Sequence, residues 1–157
     1  MAHVLHIGMD DCHRVAVLRS VGYRVDEVAS LPQLAAALGK TVAPLAVVLT
    51  ESEAIPPSQA VTIAREHSAA PVIFFPKSNY GVSEDEFDLV IQPLTSPEKW
   101  LQDVSRLLEW SRAVRTDAEA LTDQSRSLLK DARIVRLDSV RERARNSGLN
   151  PPDPCSN

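Results

Sequence analysis

The sequence predicts an α/β protein built around a parallel sheet with helices on both faces. Three observations support this fold class. Five short apolar segments rich in β-branched residues recur along the first two thirds of the chain, helical patterns separate them, and a long uninterrupted helical pattern follows the last one. Strands that alternate with helices form βαβ units, and the central strands of a parallel sheet are continuous apolar runs.

Each apolar segment is short enough to be a strand, and most are bounded by turn residues. The five predicted strands are residues 3–8 (HVLHIG), 23–28 (YRVDEV), 45–49 (LAVVL), 71–75 (PVIFF) and 87–91 (FDLVI). Right-handed crossover connections then leave few topologies open for them.

Helix punctuation lies between these segments. Ser30 and Pro32 predict a helix start, and Gly39 predicts its end after three apolar positions. Ser58 is the expected cap of the next helix. Helices in these intervals cover the sheet and complete the predicted layers.

Composition indicates one globular domain rather than two. A chain of 157 residues with 44% hydrophobic residues can bury a single core. The net charge of −4 gives no overall reason to expect nucleic acid or an anionic membrane as a partner. No segment has the length of a membrane span, the N-terminus lacks a signal-peptide layout, and Cys12 and Cys155 are too few for a disulfide framework. We therefore expect a reduced, cytoplasmic protein with no membrane partner.

Five motifs in order resemble the receiver domain of two-component response regulators (CheY-like). They are VLHIG, LRSVGYRV, PLAVVLT, PVIFF and DLVIQP, and the resemblance covers roughly residues 1–110. It implies a flavodoxin-like, doubly wound five-stranded parallel sheet with strand order 2-1-3-4-5. The functional site of such a fold lies at the carboxyl ends of its strands.

The resemblance also assigns roles to single positions, and most of them lack the required chemistry. The phosphoacceptor aspartate falls on Thr50, which cannot form an acyl phosphate, and the charge-balancing lysine falls on Gln92. The hydroxyl position falls on Pro76, and the aromatic switch position falls on Leu89. We therefore expect a degenerate pseudo-receiver that binds no cofactor and is not an enzyme.

The acidic pair of the family leaves an alternative open. Its positions fall on Gly8 and Met9, whereas Asp10 and Asp11 follow two residues later. The preferred interpretation is that Asp10 or Asp11 caps the first helix. The alternative is a divergent receiver that still binds Mg²⁺ or accepts phosphate through these two residues. Glu51 is interpreted as part of a solvated loop.

Other constellations give weak signals. His3, His6, Cys12 and His13 crowd near the first strand, but their spacing fits no standard zinc site, so no metal is expected. The segment between residues 75 and 87 is too short for a full helix, and a turn or acidic loop is expected there.

A long helix follows the receiver-like region. No proline or glycine occurs from Glu98 to Ser147, and large apolar residues recur every seven positions beside a row of small ones. This heptad predicts a coiled coil, so a homodimer through the helix is expected. The residues assigned to oligomerisation are Leu107, Val114, Leu121, Leu128 and Val135.

Two alternatives to pairing between chains remain. The helix could break within residues 125–131 and fold back on its own domain. Residues 130–145 carry a charge of +3, which suggests nucleic-acid binding as an alternative function. Against it, this segment lacks aromatic stacking residues and a helix-turn-helix pattern.

The predicted organisation is a receiver-like domain at 1–110, a helical extension at 111–147 and a disordered tail at 148–157. The expected function is interaction with an unidentified signalling protein and dimerisation in bacterial two-component-type signalling. Nucleic acid is not an expected partner.

Overall fold

The computed structural model describes residues 2–40, 42–78 and 84–147. The five strands are β1 (His3–Ile7), β2 (Arg24–Val28), β3 (Ala46–Thr50), β4 (Val72–Phe75) and β5 (Leu89–Val90). The helices are α1 (Arg14–Ser20), α2 (Leu31–Leu38), α3 (Pro57–His67) and α4 (Pro97–Asn146). A short 3-10 helix, Glu84–Glu86, precedes β5.

All five strands are parallel, in the order β2-β1-β3-β4-β5. This order confirms the predicted doubly wound topology. The register pairs His6 with Val48 and Thr50 with Phe75, so these side chains share one face of the sheet.

The sheet separates two apolar layers. One face packs on α2 and α3 through residues such as Leu49 and Phe74. The other face packs on α1 and the first part of α4, where Trp100, Val104 and Leu108 are buried. The central strands are buried on both faces, which is why their sequences are continuous apolar runs.

Local signals set several helix ends. Ser30 caps α2 by accepting a hydrogen bond from the Gln33 N–H, as its position predicts. The prediction for Ser58 was wrong, because α3 begins at Pro57 and Pro56 stands at the cap without a side-chain bond. Pro57 occupies the first turn of α3, where the fixed φ of proline suits a helix start.

The chain divides into two compact units, residues 1–113 and 114–157. The boundary lies within α4, three residues beyond the predicted end of the receiver-like domain. The predicted tail at 148–157 lies outside the described residues. Among the residues that are described, no helix is both long and apolar enough to cross a membrane.

Candidate functional site

Thr50 ends β3 and is turned into the protein. Its side chain is only 2% exposed, and its Oγ1 shares a hydrogen bond of 3.0 Å with Nε2 of His6 on β1. Burial lowers the pKa of His6, and this effect outweighs the opposing influence of Asp10 and Glu27. At neutral pH the pair therefore consists of a neutral imidazole and a hydroxyl that share one hydrogen bond.

Gly8 brings the end of β1 against the end of β3. Its φ of 112° lies in the left-handed region, and a Cβ at this position would overlap the Thr50 carbonyl oxygen. Only glycine meets both conditions without strain. A carboxylate therefore has no room at the first position that the receiver resemblance assigns to the acidic pair.

Asp10 caps α1 through its carboxylate. Oδ1 accepts the Arg14 N–H at 2.7 Å and Oδ2 accepts the Val15 N–H at 3.0 Å. Both oxygens are thus engaged by amides that the first turn of a helix leaves without intrahelical partners. This geometry agrees with the capping interpretation and gives Asp10 a structural role at the start of α1.

Asp11 lies at the surface and forms an ion pair with Lys77. Its Oδ2 is 3.0 Å from Lys77 Nζ, and both side chains are about half exposed. The hydrogen bond and the charge of Asp11 raise the pKa of Lys77. Lys77 therefore places a cation after β4, whereas the uncharged Gln92 follows β5.

Glu51 lies in the loop that follows β3. The side chain is half-buried, and its carboxylate accepts a hydrogen bond from the Lys77 N–H. This bond ties the segment after β3 to the segment after β4. Glu53, by contrast, is exposed.

Other positions to which the receiver resemblance assigns a role carry side chains that neither accept a phosphoryl group nor balance its charge. Pro76 is buried and has no N–H to donate. Gln92 is exposed, and its backbone carbonyl oxygen accepts hydrogen bonds from both the N–H and the hydroxyl of Thr95. Leu94 follows at a φ of 65° and is fully exposed.

Contacts with the Phe75 ring line the buried side of this edge of the sheet. The Arg14 guanidinium lies 4.4 Å from the centroid of the Phe75 ring, and Phe75 meets Trp100 edge to face. Arg14 therefore covers the ring next to Thr50 in the β3–β4 register.

Taken together, these contacts give three carboxylates at the edge partners within the chain. Asp10 binds amides, Asp11 binds Lys77, and Glu51 binds the Lys77 backbone. Within the described ranges, no three histidine, cysteine, aspartate or glutamate side chains are grouped to hold a metal ion.

A second candidate site lies on α4. The name α4 stripe is used here for its exposed heptad positions in the second unit, Val114, Ala118, Leu121, Ser125, Leu128, Ala132 and Val135. The four large side chains of the stripe are between 46% and 65% exposed. Leu107 was assigned to the same row, but it packs against the core of the first unit.

The helix runs through residues 125–131 without a break. Leu129, Ile134, Leu137 and Val140, which lie off the stripe, are also exposed. The break in α4 suggested for this region is therefore wrong.

Comparison with known proteins identifies the fold. No protein-family model matches the sequence, and no curated protein matches it. A response regulator receiver protein from Sinorhizobium medicae aligns with a TM-score of 0.56 and 19% identity, covering 70% of this chain and 96% of the other. The protein has a receiver fold.

Two further solved structures extend the comparison. A CheY-like receiver domain protein from Methanospirillum hungatei aligns with a TM-score of 0.58 and 12% identity, over 72% of this chain and 98% of its own. A fusion structure that carries a yeast trimeric coiled-coil segment aligns with a TM-score of 0.63 and 13% identity, over 92% of this chain and 97% of its own.

Sequence reasoning missed two contributors to the edge of the receiver fold. Lys77 follows β4 directly after Pro76, so its position at the carboxyl end of a strand was the available signal. His6 was weighed as a metal ligand and interpreted as a strand-end histidine, but its bond to Thr50 was not predicted, although its place in a buried strand predicts a partner within the sheet.

Proposed function

We propose that this receiver-like chain is a protein-interaction and dimerisation module in bacterial two-component-type signalling, and that it works without phosphorylation. The α4 stripe is the observation that carries the proposal. Leu121, Leu128 and Val135 expose 62 to 65% of their surfaces at heptad spacing. Apolar side chains repeated along one face of a helix favour association with another helix.

The edge of the sheet supports the part of the proposal that concerns phosphorylation. Thr50 offers a buried hydroxyl bonded to His6 where a receiver presents its acceptor carboxylate. Asp10 and Asp11 are engaged with amides and with Lys77. In-line phosphoryl transfer needs an accessible nucleophile and neighbouring groups that neutralise the charge of the phosphoryl group. This arrangement supplies neither at Thr50.

Dimerisation is tested by static light scattering on the full chain and on a triple variant. Leu121→Gln, Leu128→Gln and Val135→Gln remove the large side chains of the stripe while keeping good helix formers. We expect the parent chain to run as a dimer and the variant as a monomer. A matched control, Ile134→Gln with Leu137→Gln, changes exposed apolar residues off the stripe and should leave the dimer intact.

Phosphorylation is tested with acetyl phosphate and Mg²⁺, followed by intact-mass measurement. No mass increase is expected. A stable gain of one phosphoryl group that disappears in Asp10→Ala or Asp11→Ala would instead establish the divergent-receiver alternative.

A nucleic-acid function is the rival that the basic end of α4 raises. Arg133, Arg141 and Arg143 are exposed, but Asp138 is interspersed and forms an intrahelical pair with Arg141 at 3.8 Å. Binding to random duplex that weakens steeply with salt would support the rival, because that slope reports released counterions. Weak binding with a flat salt response would remove it.

A further inference from the structure

The α4 stripe carries an asymmetric pattern of charge along its two borders. The positions that follow its large residues are Arg115, Thr122, Leu129, Arg136 and Arg143. The positions that precede its small residues are Asp117, Gln124, Asp131 and Asp138. From residue 115 to residue 143, therefore, one border has arginine but no acid, and the other has aspartate but no base.

The relative direction of two paired helices decides which borders meet. In a parallel pair, the border before the small row of one helix faces the border after the large row of the other. In an antiparallel pair, each border faces its own copy. The antiparallel arrangement would set arginine against arginine and aspartate against aspartate, while the parallel one sets opposite charges together.

We propose that the α4 stripe pairs with a second copy of itself in parallel and in register. This inference rests on the proposed dimerisation and adds its direction. Asp131 then faces Arg136 of the partner subunit, and Asp138 faces Arg143 of the partner subunit, five residues further along. Twofold symmetry repeats both pairs, so four opposite-charge contacts flank the C-terminal part of the stripe.

The apolar contacts fit the same register. Leu121, Leu128 and Val135 each meet their own copy across the axis, and Ala118, Ser125 and Ala132 form the layers between them. Small side chains in these layers let the helix backbones approach closely, which brings the charged borders within reach of each other.

Cysteine cross-linking in the full-length chain tests the direction. In a Cys12→Ser and Cys155→Ser background, Val135→Cys is oxidised under mild conditions. A parallel, in-register pair places the two sulfurs together, so a covalent dimer should dominate. In an antiparallel pair that overlaps the whole stripe, residue 135 faces residue 114, about 31 Å along the axis from its own copy.

Two matched variants complete that experiment. Leu137→Cys lies off the stripe and should give little cross-linked dimer. A mixture of Val114→Cys and Val135→Cys chains should give only like-with-like links; links between 114 and 135 would overturn the parallel direction.

Charge reversal tests the borders independently. Asp131→Arg with Asp138→Arg should weaken dimerisation roughly tenfold or more, since four attractive contacts become repulsive. Adding Arg136→Asp and Arg143→Asp should restore it. Glu119→Arg with Asp123→Arg makes the same charge change away from the borders and should have less than about a twofold effect.

Light scattering on the same samples separates the two proposals. A dimer that resists cross-linking at residue 135, or that tolerates the border reversal, leaves the proposed function intact and overturns the parallel pairing. A monomeric parent chain overturns both.

Discussion

Two regions of this chain differ in which kind of side chain they bury and which kind they expose. The carboxyl edge of the sheet buries polar groups and satisfies them, as the bond between Thr50 and His6 shows. The second part of α4 exposes apolar groups, with Leu121 and Leu128 more than 60% accessible. A buried polar pair forms its hydrogen bond within the fold, whereas an exposed apolar row is typical of an interaction surface. We therefore expect the functional surface to lie on α4 rather than at the carboxyl edge of the sheet.

The largest expected effect compares two leucines of α4. Leu108 is 2% exposed in the core, so Leu108→Ala should lower the free energy of unfolding by about 2 to 5 kcal/mol. Urea denaturation followed by tryptophan fluorescence, to which buried Trp100 contributes, measures this loss. Leu128→Ala is the same chemical change at a 62% exposed position, and its effect on the first unit should stay within about 0.5 kcal/mol. Equal losses would show that the stripe is covered within the chain.

The next effect concerns the close approach of β1 and β3. Gly8→Ala should cost at least about 2 kcal/mol, because the new Cβ meets both backbone strain and the Thr50 carbonyl oxygen. Gly22→Ala provides the control, since its φ is 92° but no atom lies within 4 Å of the added Cβ. Thermal unfolding should rank Gly8→Ala as the more damaging variant, and the reverse order would contradict the packing of the edge.

A pH titration sharpens the description of the buried pair. The pKa of His6 is lower in the folded state than its ordinary value of 6.5, so the unfolded state binds more protons below that pH. Stability is then complete above about pH 6.5 and decreases as the pH falls, by up to about 2 kcal/mol at pH 5.

The measurement is the urea midpoint at pH 7.5 and at pH 5.0. His6→Gln keeps a polar group near Thr50 but does not titrate, and the difference between the two pH values should shrink in this variant. An unchanged difference would assign the pH response to other groups.

The smallest effects distinguish the two aspartates of the edge. Asp10→Ala should cost about 1 kcal/mol because two amides of α1 lose their acceptor. Asp10→Asn keeps an acceptor and should cost less. Asp11→Ala breaks only an exposed ion pair with Lys77 and should change the thermal midpoint least of the three. A larger loss for Asp11→Ala would show that the ion pair, not the cap, holds the edge.

The sequence allowed the fold to be predicted because its signals are local and repeated. Buried parallel strands must be apolar throughout, and β3 and β4 could be located from that property alone. The edge was harder to predict. Whether a carboxylate meets an amide, a lysine or solvent depends on loop geometry, so the contacts of Asp10, Asp11 and Glu51 could not be derived from the sequence.

The helix shows the same limit in another form. Its heptad was visible in the sequence, but the repeat does not reveal where the sheet stops covering it. Leu107 and Leu121 occupy equivalent positions in the pattern, and only the packed structure shows that the first belongs to the core.

The contact between Gly8 and Thr50 bears on whether a carboxylate site could be built at this edge of the sheet. A carboxylate at residue 50 would enter the buried space beside His6, and one at residue 8 would collide with the backbone of β3. Neither single exchange creates an accessible acceptor with a neighbouring metal ligand. Building such a site therefore requires coordinated changes in two strands and in the loop between β1 and α1.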